Sequence, residues 1–194
     1  RKGIGRSLTE YYLEKDYQVV GCSRQASDLQ HANYLHVLCD VSDEKAVKKV
    51  VSLAKKTFGG ISILLNNAGI ASLNHSLLTP SASLSNVMET NYYGSFYFSR
   101  ECAKQMMKQK FGRIVNFSSI AVPLHLEGEM IYASSKAAIE QMTKIMAKEL
   151  APHQITVNAI GPSPIATDLI KTVPKDKITA LLEKQAIKRL GKQT

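Results

Sequence analysis

The sequence predicts a doubly wound α/β domain: one parallel sheet with helices on both faces, three layers deep. Three observations lead there. Strand-like and helical segments alternate along all 194 residues, the pattern of parallel strands joined by helical crossovers. Strand candidates such as Ile61 to Leu65 and Ile114-Val115-Asn116-Phe117 are near-continuous apolar runs, as in strands buried on both faces. A glycine turn, Gly3-Ile4-Gly5, opens the first helix.

Taken in order, an amphipathic helix runs from that turn to about Lys15, and strands follow at Tyr17 to Cys22 and at Tyr34 to Cys39. Glu44 to Thr57 is helical, with Val47, Val50, Val51 and Leu53 turned inward. Ile61 to Leu65 is a strand buried on both faces, and Leu84 to Lys110 is one long helix. Arg113 to Ser118 is a strand, Ile131 to Leu150 a helix and Ile155 to Ile160 the last clear strand. No repeat and no low-complexity linker interrupts the series, and 44% hydrophobic residues suit one domain over 1–194 with its own core. The chain opens inside a glycine turn and closes on a polar tail. The expectation is therefore a domain that lacks its first strand and its C-terminal strand, a trimmed form of a longer chain.

Composition narrows the function. Lys and Arg number 25 against 16 Asp and Glu, a net charge of +9. The cations are spread without an arm or an Arg-rich run, so nucleic acid is set aside in favour of a phosphorylated cofactor with an acidic substrate or carrier. Cys22, Cys39 and Cys102 lack metal-like spacing and read as reduced thiols of a cytoplasmic protein. The five histidines form no metal set, so no metal is expected. No apolar stretch reaches eighteen residues, which argues against a membrane span.

The chemistry concentrates between Ser119 and Lys136. Tyr132 and Lys136, four apart in the helix, leave one face of it. A free phenol has a pKa of roughly 10, too high for proton transfer at neutral pH, and a nearby ammonium favours its ionised form. Lys136 is thus expected to tune Tyr132 as a general acid or base. Ser119, thirteen residues before Tyr132, ends a strand where open α/β sheets bind ligands. Ser118 is expected to face the sheet.

These motifs, with Asn66-Asn67-Ala68-Gly69 behind a strand, resemble those of the short-chain dehydrogenase/reductase family over nearly all of the chain. The resemblance implies a Rossmann-type fold and ketone reduction by hydride transfer. Tyr132 would donate the proton, Lys136 would lower its pKa and hold the nicotinamide ribose, Ser119 would position the carbonyl, and Asn91 would hold a water linking Lys136 to solvent. For the cofactor, Gly3, Ile4 and Gly5 would cradle the pyrophosphate at a helix N-terminus. The family's first glycine would lie before Arg1. Asp40 and Val41 would hold the adenine, Asn67, Ala68 and Gly69 the adenosine ribose, Ile165 the carboxamide through its backbone, and Thr167 a phosphate. Ser163 replaces the family's usual glycine in that last loop. Ser23 stands where an acid would select NAD(H), with Arg24 after it and Arg1 and Lys2 in the glycine turn. NADP(H) is therefore expected over NAD(H).

The resemblance is to 3-oxoacyl-[acyl-carrier-protein] reductases in particular. It implies a lid within 163–186, its mobile part Asp168 to Ala186, and a homodimer or homotetramer formed through the two long helices. Lys104, Lys108, Lys110 and Arg113 would form a basic patch for an acidic acyl carrier protein, or else the solvated end of a helix. Leu124, Leu126, Glu127 and Glu129 would line the substrate pocket with Val122, Pro123, His125 and Met130, joined by Leu169, Ile170 and Val173 from the lid. Apolar residues there suit an acyl chain; the two acids suit a hydroxylated or cationic substrate, or face water. Reduction of another ketone or a sugar, and a non-catalytic NADP-binding regulator, stay open.

Overall fold

The computed structural model of the chain describes residues 1–170 and 173–192. Two parallel sheets form its centre. One pairs β1 (Val19–Ser23) with β2 (Tyr34–Leu38), Val19 lying opposite Tyr34. The other has the order β3-β4-β5, from Ile63–Asn66, Gly112–Phe117 and Ile155–Ile160. Parallel pairing requires crossovers: α3 (Ser81–Met88) and α4 (Gly94–Gln109) lie between β3 and β4, α5 (Ala121–Leu124) and α6 (Met130–Leu150) lie between β4 and β5, and β1 passes to β2 through a loop. α1 (Gly3–Leu13) precedes β1, α2 (Glu44–Phe58) joins the two sheets and α7 (Lys175–Glu183) follows β5.

Local chemistry fixes α2 well. The Asp43 carboxylate accepts from the backbone N–H groups of Lys45 and Ala46, Glu44 complements the helix dipole, and Gly59 ends the helix at φ 82°. Val47, Val50, Val51 and Ala54 form its buried stripe. Leu53, expected to face inward, is 37% exposed. At 100° per residue it falls off the stripe that Ala54 continues. The stripe meets Phe98, Cys102 and Met106 of α4 over Ile114 and Ile155 of the sheet, which is the main core.

Two other expectations change. Within β3 only Asn66 is fully buried, and Ile63 to Leu65 are partly covered, because among the described residues β3 pairs on one side only, with β4. The expected helix from Leu84 to Lys110 is broken by a π-helical turn at Glu89–Tyr93. Its cause is Asn91. The Ser95 hydroxyl takes the Asn91 backbone carbonyl at 2.6 Å, while the Asn91 side chain leaves the helix to bond elsewhere. Such turns inside helices tend to mark functional sites. The segment expected to be a lid is an extended loop, a short 3₁₀ turn at Asp168–Ile170 and α7; Lys171 and Thr172 within it lie outside the described residues.

Gly94, directly after the π-turn, packs on Val41. A Cβ there would lie 2.8 Å from Val41 Cγ2 and 3.1 Å from the Val41 carbonyl oxygen. Helix propensity alone would make Gly94→Ala stabilising by about 1 kcal/mol, but overpacking against backbone costs typically about 1–3 kcal/mol. The expected outcome is a lower urea midpoint for Gly94→Ala; a raised midpoint would show that Val41 yields without cost.

Candidate active site

Because all strands run parallel, the segments leaving β3, β4 and β5 emerge on one edge of the sheet, where ligands bind in open α/β folds. Asn67 to Gly69 leave β3, Ser118 and Ser119 leave β4, and Gly161 to Thr167 leave β5. α6 crosses that edge. Its buried face carries Tyr132, Ser135 and Lys136.

The Lys136 ammonium is 4% exposed and donates to the Phe117 carbonyl at 2.7 Å. It also lies 5.8 Å from the centre of the Tyr132 ring. Burial lowers its pKa to about 8. Tyr132 shifts the other way: burial raises the phenol above its ordinary value, a hydrogen bond with the Ser119 hydroxyl opposes this, and the Glu129 carboxylate adds to it. Sequence reasoning expected Lys136 to pull Tyr132 down. Here the ammonium is held at a carbonyl and over the ring face, and desolvation dominates. Tyr132 therefore keeps its proton at neutral pH, the form a proton donor requires.

Asn91, fully buried, joins this cluster to its surroundings. Its Oδ1 accepts from the Ile70 N–H at 2.8 Å, and its Nδ2 donates to the Ile70 carbonyl and to Ser135 Oγ, each at 2.9 Å. Ser135 passes its proton to the Tyr132 carbonyl at 2.7 Å. Ser135 and the Phe117 carbonyl were not legible as site groups. Ser135 reads as a small packing residue, and only its i+3 spacing from Tyr132 could have signalled it. Ser119 Oγ also accepts from the Ala121 N–H at 3.2 Å, starting α5. Ser118, expected to face the sheet, is buried and donates to Glu140 Oε1 of α6 at 2.5 Å.

The expected cofactor residues line the same edge. Gly3 has φ +58° and faces Thr167, whose Cγ2 would lie 3.7 Å from a Cβ at Gly3. At Gly5 a Cβ would meet Asn67 Nδ2 at 2.8 Å, so α1 lies close against the segment leaving β3 and a larger residue there would push the Asn67 amide aside. α1 has no side-chain cap and no acid in its first turn, leaving the amides of Gly3, Ile4 and Gly5 suited to an anion. Gly69 lies against Asn91 Oδ1 and Lys136 Nζ, at 3.3 and 3.4 Å from an added Cβ; Ala68 beside it is exposed. Ile165 bridges Gly191 through the amides on either side of it, Gly191 N–H to the Pro164 carbonyl and Ala166 N–H to the Gly191 carbonyl. The N–H and C=O of Ile165 itself thus point the other way.

Other expected residues are partly committed. Lys2 forms an ion pair with Asp168 across the two loops. Ser23 Oγ gives its one proton to the Gln25 carbonyl at 2.7 Å, so His36 Nε2, 2.9 Å away, must be the donor to it. Asp40 Oδ1 accepts from the Ser42 N–H and hydroxyl, which lowers its pKa. Val41 is buried under Gly94. Arg1 and Arg24 remain exposed at this end. Among the described residues no cluster of three or more His, Cys, Asp or Glu could hold a metal ion.

Known proteins match this chain in sequence and in fold. A 3-oxoacyl-[acyl-carrier-protein] reductase of Vibrio cholerae is 33% identical over 196 residues, covering 98% of this chain and 80% of that protein. An NAD-dependent glycerol dehydrogenase of Listeria innocua is 35% identical over 175 residues, covering 87% and 69%. The solved structure of ElxO with NADP bound superposes with a TM-score of 0.90 at 29% identity, covering 99% of this chain and 83% of that one. A short-chain dehydrogenase of Streptomyces avermitilis gives 0.81 at 27% identity, covering 86% of this chain and 64% of that one. The family model for short chain dehydrogenases matches residues 1–178. The chain therefore belongs to the short-chain dehydrogenases, a family of NAD(P)-dependent oxidoreductases.

Proposed function

We propose that the chain reduces a ketone to an alcohol with NADPH, Tyr132 giving the proton. One observation carries the reading: a buried phenol, raised in pKa by burial and close enough to the Ser119 hydroxyl for it to oppose that rise, with a buried ammonium one helical turn further on. NADPH, when bound, supplies the hydride. Ser119 and Tyr132 orient the carbonyl oxygen between their hydroxyls, and Tyr132 protonates the oxygen as negative charge develops on it. Lys136 would hold the nicotinamide ribose of a bound cofactor and stabilise the phenolate left behind. Asn91 acts by position, because Ile70 and Ser135 take both its amide hydrogens. A water linking Lys136 to solvent would have to find its donor elsewhere.

The cofactor residues fit in the same sense. The amides of Gly3, Ile4 and Gly5, with Thr167, would take the phosphates. Asp40 and Val41 would take the adenine, Asn67 to Gly69 the adenosine ribose, and Ile165 the carboxamide. With no acid at Ser23 and with Lys2 tied to Asp168, Arg1 and Arg24 are the cations left for a 2′-phosphate. ElxO, solved with NADP, supports this choice; the NAD-dependent glycerol dehydrogenase does not.

The basic patch expected to receive a carrier protein is poorly placed. Lys104 pairs with Glu101, and the Arg113 guanidinium lies over Phe111 at 4.4 Å and donates to the Gly112 and Gln154 carbonyls. Arg113 also sits at the start of β4, roughly 20 Å along the strand from Ser119. Any carrier must approach from the other edge. An exposed apolar groove between α4 and α6, lined by Phe96, Met107, Met142, Ile145 and Met146, is assigned to a second copy of the chain. Light scattering should find a dimer or larger assembly that Ile145→Glu dissociates; a monomer at micromolar concentration would refute this. The three cysteines are unpaired, which suits the cytoplasmic setting we assign.

Tyr132→Phe should lower turnover by about a hundredfold or more, within the range general acid catalysis supplies, while NADPH fluorescence titration finds binding within a few-fold of wild type and tighter than NADH. Turnover that survives the change would remove Tyr132 from its role.

Lys136 links function to stability. Its folded pKa of about 8 lies below the ordinary value of 10.5, so the unfolded chain binds the proton more tightly. Stability from this group is full above 10.5 and lost as pH falls through about 8, a cost of about 3 kcal/mol at neutral pH. Lys136→Met should therefore abolish turnover yet unfold at higher urea than wild type at pH 7, with the gain shrinking by pH 10. A variant less stable than wild type at pH 7 would contradict the buried-charge account.

A further inference from the structure

Glu129 immediately precedes α6 and stands three residues before Tyr132, a spacing that puts both side chains on one face. Its backbone is fixed: its N–H donates to the Leu126 carbonyl at 3.2 Å, and its carbonyl accepts from the Ala133 N–H at 2.8 Å. The preceding turn is fixed as well. Gly128 has φ +83°, its carbonyl accepts from the Asn74 N–H at 2.8 Å, and Leu73 packs where a Cβ would be, at 3.0 Å.

The carboxylate on this rigid turn is half-buried. Lys177 of α7 is near enough for its charge to be felt, yet it donates to the Glu127 carbonyl, at 3.4 Å, and forms no ion pair with Glu129. Holding a bare carboxylate here is costly twice over. Desolvation raises its own pKa, and its charge raises that of Tyr132, against the action of Ser119. The Glu129 oxygens are not fully buried, so water serves them in the free protein, and a ligand that displaces this water beside Tyr132 must supply a donor in its place.

We propose that Glu129 selects the substrate by accepting a hydrogen bond from a hydroxyl on the carbon next to the reacting carbonyl. The site then favours hydroxyketones over ketones flanked by plain methylenes, 3-oxoacyl thioesters among them, and it repels 2-oxo acids. This rests on Tyr132 acting as the proton donor at the same carbonyl.

The test compares hydroxyacetone with 2-butanone, which differ by a hydroxyl in place of a methyl, and with acetoacetyl-N-acetylcysteamine, in steady-state NADPH oxidation. Wild type should show kcat/KM at least tenfold higher for hydroxyacetone than for butanone, as sites built to bond a substrate hydroxyl reject analogues without it. Glu129→Ala should bring the ratio to within about threefold of one, chiefly by lowering the hydroxyacetone value, with thermal stability unchanged or raised. Glu129→Gln, which keeps an acceptor, should retain part of the preference. A ratio that survives Glu129→Ala, or a wild type that turns over the thioester better than hydroxyacetone, overturns the assignment of Glu129 and leaves the reductase reading in place. No oxidation with any of the three ketones overturns both.

Discussion

An ammonium without a carboxylate holds this site together. Removing Lys136 from water costs several kcal/mol unless its hydrogens find acceptors, and the structure supplies one at the point where the sheet ends. β3 stops at Asn66, paired with Asn116, so the next carbonyl of β4, that of Phe117, has no strand beside it on that side. Lys136 Nζ takes it at 2.7 Å. The length of β3 thus decides where α6 must lie, and with α6 go Tyr132 and Ser135. On the opposite side of β4 the ladder continues one step further, Ser118 N–H to the Ile160 carbonyl, bringing the loop of Pro162 to Thr167 to the same edge.

The same rule governs the uncharged polar groups beneath the site. Asn66 Nδ2 donates to Asn116 Oδ1 at 2.8 Å and to Ser99 Oγ at 2.9 Å, and Asn116 passes the chain on to Thr143 of α6. Asn91, Ser135 and the Tyr132 carbonyl form a parallel relay one layer above. Satisfied networks of this kind fix one arrangement, since any slip strands a buried donor. They tie β3, β4, α4 and α6 together at side chains, in addition to the apolar packing of the core. The π-turn at Glu89–Tyr93 carries Asn91, whose side chain bonds the Ile70 N–H and carbonyl.

Most of the architecture was legible because it rests on period and punctuation. The Val47, Val50, Val51 stripe and the caps Asp43 and Gly59 mark α2, and the apolar run before Ser119 marks β4. Tyr132, Lys136 and Ser119 were legible because their chemistry depends on spacing. What escaped has a common physical reason: it depends on groups that meet only after folding. The Phe117 carbonyl is anonymous in a sequence. The Lys2 to Asp168 pair joins residues 166 positions apart. Ser23 was expected beside the cofactor, yet nothing in Val20-Gly21-Cys22-Ser23 tells that its hydroxyl already donates to the Gln25 carbonyl and accepts from His36. Leu53 failed for a smaller reason, a side chain at the margin of the helical stripe where Ala54 does the packing.

Burial is the leading cause of both shifts at the catalytic pair, upward at Tyr132 and downward at Lys136. Desolvation therefore drives both groups towards their neutral forms together. A drier site makes the phenol a weaker acid and the amine less charged, which works against proton transfer from one with help from the other. Dryness alone cannot tune this pair. Separating the two requires groups that bond one member and not the other, and the structure has one for each: the Ser119 hydroxyl at the phenol and the Phe117 carbonyl at the ammonium. Both come from the end of β4, two residues apart. The position of that strand end, more than the Tyr-x-x-x-Lys spacing by itself, is what makes the pair chemically useful.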